Sequence, residues 1–383
     1  MRISVSRIIL IGFLLRVIVA FWNGFFGPSP GADLDAMGMH GFASDVARTG
    51  DFDDFHIGFT PYTNILGLIY RYTFDHVFVG SLLSCFIWLI SAHVLYKSFV
   101  LLSSEKKKIA TALWIYALIP SSIFMTSVTI REPYQILFVN LSIYFCLKIF
   151  LKKGLLNWPF LILSILAAGF LHGALLAFGI ILVAGTLLLI VFRKVRHIPW
   201  LKLLPLFIIA IVFVYFGFSA YVNFSYDLSI GLANSIENYQ ISLSAEEART
   251  HYKTDISISS MGGLFIFIPL GFIQYLFEPF PWHISAISDV VVFFENIVRA
   301  WLIWTAWKRV HRSADQFRRF LYFVFIFYLI IELIWSVGTI NWGTSVRHHL
   351  LAWSLILIAC FGSLDQPKKK SNKQNANHGS DYH

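Results

Sequence analysis

The chain has 383 residues, 57% of them hydrophobic and only 13% charged. A soluble domain carries about 25% charged residues, so the composition excludes an ordinary soluble enzyme and points to a polytopic, all-α membrane protein. The formal net charge of +9 comes in short Lys/Arg clusters between apolar runs, the positive-inside pattern, and nucleic acid is set aside as a partner.

The N-terminus, Arg2 and Arg7 before an apolar run, has the outline of a signal peptide without a small-residue cleavage site. It reads as a retained anchor: a first span from Ile8 to Phe25 with its basic side cytoplasmic. Next comes an acidic segment, 27–75, holding Asp33, Asp35, Asp45, Asp51, Asp53, Asp54 and Asp75 against Arg48 and Arg71. It belongs outside, with a short surface helix from Ala36 to Arg48 ending at Thr49-Gly50. A second apolar helix, Tyr62 to Phe74, is too short to span and suits the interface.

Span two, Phe78 to Leu102, returns to the basic run Lys106–Lys108, and span three, Ile109 to about Phe124, leads out to Arg131-Glu132-Pro133. Span four, Tyr134 to Leu151, ends at Lys152-Lys153. The apolar stretch from Pro159 to Phe192 is too long for one crossing and just long enough for a tight hairpin turning at Gly169–Gly173 around His172. Span seven, Leu201 to Phe218, opens into a polar outer segment, Ser219 to Ser260, containing a helix from Ser244 to Lys253 with Glu247 completing a capping box. Met261 to Trp282 holds Gly262, Gly263, Pro269 and Gly271. Reading it as re-entrant or interfacial keeps Lys308-Arg309 and Lys368–Lys370 inside.

Spans eight to ten are Ile287 to Trp307, Phe320 to Val337 and Leu350 to Phe361, giving about ten transmembrane helices at ~20 residues each. Residues 1–366 form one transmembrane domain, and 367–383 are a polar, disordered cytoplasmic tail. Both termini are then cytoplasmic. The three cysteines, Cys85, Cys146 and Cys360, lie in apolar segments without metal or redox spacing and read as packing residues.

This topology puts five polar motifs at the outer face: Asp33-Leu-Asp35, Arg131-Glu132-Pro133, His172, Pro279-Phe-Pro-Trp282 and the run from Asn341 to His349. Alternate residues of an extended loop point opposite ways, so only one of Asp33 and Asp35 should face a shared site. Glu132 and Pro133 are also ordinary helix-start residues. Arg131 and the cluster Arg347-His348-His349 oppose the positive-inside bias, and such cations suit phosphate. Adjacent histidines point apart, so phosphate ranks above metal. Glu295 and Arg299, one turn apart, are placed either to neutralise each other or to serve a functional role within the spans. His172, Glu332 and His40 are accessory candidates, Glu332 lying within reach of the site or of a cation near it.

The motif order resembles the C-type (GT-C) glycosyltransferases that use polyprenyl-phosphate sugars, the group containing protein O-mannosyltransferases and lipid A aminoarabinose transferases. The likeness runs through the outer Asp motif (Asp33-Leu-Asp35), the short helix at Pro61-Tyr62 and the stretch from Ile119-Pro120 to Pro133, roughly the first 150 residues. The Pro279–Trp282 and Gly343–His348 stretches look like those of bacterial membrane proteins associated with surface polysaccharide. This chain departs from the family's acidic pair in having Leu34 between its aspartates and Ala36 after the second. The resemblance implies a membrane glycosyltransferase of the bacterial inner membrane, with its site facing the periplasm. Sugar passes there from a lipid phosphate to a hydroxyl of a glycan, lipid or protein acceptor. Asp35, with Asp33 second, would be general base, and Arg131, Arg347, His348 and His349 would hold the departing phosphate. No cofactor is required by this reading; a divalent metal, Mg or Mn, stays compatible with it. The rivals are an O-antigen or exopolysaccharide repeat-unit polymerase using polyprenyl-diphosphate oligosaccharides, and a non-enzymatic flippase for lipid-linked sugar. The flippase predicts polar groups on broken helices near mid-bilayer.

Overall fold

In the computed structural model, residues 4–29, 33–52, 57–102, 104–151, 154, 156–192, 249–252, 261–313 and 315–363 are described. Their regular structure is helical, and the one β-bridge among them joins His251 to Asn341. Span seven, most of the outer segment 219–260, the flanking clusters at 152–153 and 193–196, and the tail 367–383 lie outside the described residues.

Helix α1 (Val5–Phe25) packs on α4 (Val77–Leu101) and α5 (Lys106–Leu118). The buried face of α4 is a stripe of small residues, among them Gly80, Ser84, Ser91 and Ser98. Such a stripe lets helix backbones approach closely where lipid gives little drive for association. Helix α7 (Glu132–Phe150) sits between α4 and α8 (Asn157–Leu171), and α8 reverses through His172-Gly173 into α9 (Ala174–Phe192). The hairpin read from the sequence is present, turning at the expected place. Beyond it come α10 (Met261–Phe277), α11 (Ile287–Arg312), α12 (Asp315–Val337) and α13 (Trp342–Phe361). Residues Leu350 to Cys360 are all buried. A helix covered on every side belongs at the centre of its bundle, and α13 contacts α5, α7, α10, α11, α12 and the short helix α6 (Pro120–Met125).

Among the described residues four helices, α1, α4, α7 and α13, are long and apolar enough to cross a membrane, with α8 and most of α9 as shorter apolar helices.

The expected third span is broken. Helix α5 stops at Leu118, and a six-residue helix α6 (Pro120–Met125) follows. Pro120 has no N–H to give to the preceding turn. The next ladder bond, from Ser121 N to Ala117 O, is replaced at both ends by charged side chains. Ser121 N donates to Glu295 Oε1 (2.7 Å), and Ala117 O accepts from Arg16 Nη1 (3.0 Å). Arg16, fully buried near the middle of α1, also donates to Gly12 O, Ser122 Oγ and Thr126 Oγ1 and lies over the Trp88 ring. Glu295 and Arg299 feel each other's charge but bond to different partners. Glu295 serves Ser121, while Arg299 donates to Leu276 O and Asn296 Oδ1.

Two surface helices cover one end of the bundle. Helix α2 (Asp33–Thr49) starts earlier than expected, because the aspartates join its first turn, where the helix dipole favours them. Gly50, at φ +80°, ends it. Ala36, Met39, Ala43 and Val46, spaced 3, 4 and 3, are buried, and α2 packs on α3 (Thr60–Tyr72). Gly67 is what allows the fit: a Cβ there would lie 2.7 Å from Ala43 O and 2.6 Å from Val46 Cβ. Gly67→Ala should therefore cost about 1–3 kcal/mol by forcing α2 and α3 apart. A thermal melt of the detergent-solubilised variant within about 1 °C of wild type would contradict that contact.

Ends of opposite chemistry result. At one, Arg309 donates to Cys360 O and Gly362 O, and Ser363 N donates to Ser104 Oγ. This end gathers Lys106–Lys108, Lys308 and Arg312. At the other lie α2, α3 and the starts of α4, α7, α11 and α13. Tyr252 and Glu278 both belong to this second end. Tyr252 N donates to Ile340 O, and Asn296 donates to Glu278 O two turns from the start of α11. The 261–282 segment is a 17-residue helix, Met261–Phe277, with Pro269 inside it, followed by a short 3-10 turn at Pro281–His283. The predicted helix over 244–253 is not continued in residues 249–252, which instead pair with Ile340–Trp342.

Candidate functional site at the acidic end

The key side chains come from three distant parts of the chain. Asp35 lies in the first turn of α2, Glu132 is the first residue of α7, and Arg347 is in the second turn of α13. Arg347 joins them. Its Nη1 donates to Asp35 Oδ2, and its Nε (3.1 Å) and Nη2 both donate to Glu132 Oε1. The carboxylates differ in setting: the Asp35 side chain is 52% exposed, that of Glu132 only 9%. Glu132 Oε2 is buried with no hydrogen-bond partner among the described residues.

The cationic cluster is helical, contrary to its reading as a loop before span ten. Asn341 caps α13 by accepting from Thr344 N (2.7 Å), so the helix begins eight residues before Leu350. Successive residues then point about 100° apart, and the three cations part company. Arg347 faces Asp35 and Glu132. His348 stacks on Trp335 (centroids 4.0 Å apart, 20° between planes), with Nδ1 2.9 Å from Thr339 Oγ1. His349 turns inward, with Nδ1 2.7 Å from Glu332 Oε2 and Nε2 3.0 Å from Tyr275 O. Both its ring nitrogens are engaged inside the protein, so His349 is not placed as a phosphate ligand. Glu332 is buried as its partner and does not extend to Asp35. Arg347, expected as an open phosphate ligand, is instead shared between two carboxylates.

His172 joins the group from the α8–α9 turn. Its ring meets the edge or face of Trp335 at 4.6 Å, and Nδ1 accepts from Ala174 N (3.3 Å). Burial pushes its imidazole down to about 3, with the nearby Arg131 and Arg347 charges adding to the effect and Glu132 opposing it. His172 is thus neutral at physiological pH. Arg131, the residue before α7, extends its guanidinium beside Gly58, whose N–H donates to Phe170 O.

His40 lies elsewhere, in the α2–α3 hairpin, with Nδ1 3.2 Å from the Tyr70 hydroxyl. Burial lowers its imidazole, opposed by the charge of Asp75. Asp33 opens α2, two positions before Asp35.

Sequence reasoning missed Trp335, the ring held between His172 and His348. No local pattern distinguishes it from the chain's eleven other tryptophans. It also missed Asp289, which accepts from Arg249 (2.6 and 3.0 Å) and from Trp342 Nε1 (3.2 Å), tying the starts of α11 and α13 to residues 249–252. Arg16 did carry a signal, since an arginine midway along an apolar span is expensive and needs a partner.

Chemically, one end of the bundle offers an accessible carboxylate, a buried carboxylate, a guanidinium fork and two imidazoles on Trp335, one stacked and one edge-on. The N-termini of α7 and α13 also open there, and their dipoles favour an anion. Among the described residues no group of three or more His, Cys, Asp or Glu side chains is arranged to hold a metal ion. No family model, curated protein or solved structure matches the chain.

Proposed function

We propose that the protein is a membrane glycosyltransferase that moves a sugar from a polyprenyl-phosphate donor to an acceptor hydroxyl at the extracytoplasmic face. The observation carrying this reading is the convergence of Asp35, Glu132 and Arg347 on one site at the end opposite the basic clusters. In the proposed step the acceptor oxygen attacks the anomeric carbon and its proton passes to Asp35. The bond from that carbon to the phosphate oxygen breaks, and the leaving phosphate takes the electron pair. Arg347, with Arg131 and His348 nearby, meets the charge building on it.

About ten crossings of a bacterial inner membrane suit this function, with the basic end cytoplasmic. Exposed aromatics support the placement. Phe21, Trp22, Phe25, Tyr72, Phe74 and Trp282 ring the acidic end, while Trp304 and Trp307 lie next to Lys308 at the other. Helix α11, with 26 residues, is about 39 Å long, enough to join the two levels. The lipid tail of the donor accounts for a site at this boundary.

Asp35→Asn is expected to abolish transfer from a polyprenyl-phosphate sugar, by at least about 10²-fold, while the protein still inserts and melts as wild type does. Retained turnover would remove Asp35 as base. A repeat-unit polymerase would use nearly the same site and is separated by its product, a ladder of lengths in place of a single addition. The broken α5–α6 helix favours the flippase reading. Its freed backbone groups, however, are occupied by Arg16 and Glu295. Unchanged lipid-linked sugar transport by Asp35→Asn protein would decide for the flippase.

A further inference from the structure

The two ion pairs that hold Arg347 are unequal. Nε and Nη2 rest on Glu132 at the buried start of α7, whereas Nη1 meets Asp35, whose side chain is half in solvent. Asp35 also belongs to the more lightly attached element, because α2 packs mainly on α3 and only sparsely on the rest of the bundle. A guanidinium offers a limited fork of donors, and a phosphate wants the same paired geometry a carboxylate does. One guanidinium between two carboxylates leaves the trio with a net negative charge. A phosphate arriving at that fork finds its donors already taken by carboxylates, so one carboxylate must withdraw to admit it, and the exposed one is free to do so.

We infer that the Asp35–Arg347 pair is a latch operated by the phosphate of the lipid donor. Arg347 stays anchored on Glu132 and exchanges Asp35 for phosphate. Glu132 is then a positioning residue, and Asp35 is released as a base when donor is present. The Asp35 oxygen that accepts from Nη1 is then free to take the acceptor's proton, so the acceptor hydroxyl meets an available base only after the donor has bound. The inference rests on the glycosyltransferase reading and adds an order of binding to it.

The test is titration calorimetry of the full-length protein in detergent with farnesyl phosphate, and with farnesol as the uncharged control. Wild type should prefer the phosphate. Asp35→Asn and Asp35→Ala should each bind farnesyl phosphate about threefold to tenfold more tightly than wild type, since a competing carboxylate worth up to ~1 kcal/mol is gone. Farnesol affinity should not change. The half-exposed position of Asp35 makes both variants foldable, and agreement between them excludes a contact peculiar to the amide. Unchanged or weaker phosphate binding by the variants, with wild type still preferring phosphate, overturns the latch and leaves the proposed reaction standing. A wild-type protein with no preference for farnesyl phosphate over farnesol overturns both.

Discussion

Arg347→Gln is expected to abolish transfer and to destabilise the protein by about 3–5 kcal/mol, the usual cost of breaking a buried ion pair from one side. The loss is large because Glu132 depends on it: its Oε1 receives two of the guanidinium's hydrogen bonds, and the side chain is 9% exposed. Without Arg347 that carboxylate loses its hydrogen-bonded cation, keeps only the charge of Arg131 beside it, and has little water. The two effects separate in a double variant. Adding Glu132→Gln to Arg347→Gln removes the uncompensated charge and should recover most of the stability, but none of the activity. Chemical unfolding in mixed micelles and a transfer assay on the same preparations measure both. An Arg347→Gln protein as stable as wild type would mean that Glu132 finds another partner and that the fork is not what joins α2, α7 and α13.

Arg16→Met should cost about 2–4 kcal/mol, for a different reason. Methionine fills much of the volume and removes an expensive buried charge, which by itself favours the variant. Against that, Ala117 O, Ser122 Oγ and Thr126 Oγ1 lose a donor at the helix break, and each unsatisfied buried group costs about 1–3 kcal/mol. The deficit wins because Pro120 prevents the helix from closing its own ladder. Adding Pro120→Ala to Arg16→Met should restore part of the loss, by allowing α5 and α6 to run together. Equal melting of Arg16→Met and wild-type protein would show that the break needs no cation.

The hairpin α8–α9, the span α4 and the start of α7 were legible in the sequence to within a few residues, because their information is local. Apolar runs of bilayer length, bounded by basic clusters, Pro133 and the Gly169–Gly173 turn, leave little choice. The start of α13 was not legible. Gly343 reads as a turn residue, and only the Asn341 side chain bonded to Thr344 N reveals a helix cap. That error mattered, since a loop leaves Arg347, His348 and His349 as one cationic patch, whereas a helix sends them to three separate partners.

The sequence by itself determined the helical, apolar character of the protein, the spacing of its basic clusters and the identity of Arg131 and Arg347 as cations out of keeping with their surroundings, while Glu132 passed as an ordinary helix-start residue. Composition and charge spacing suffice for that, because the membrane penalises each charge at its own position. Only the tertiary structure decided which charges are partners. The Arg347–Asp35 pair spans 312 positions and the Ser121–Glu295 bond 174. No local pattern encodes contacts that arise only when separate helices pack.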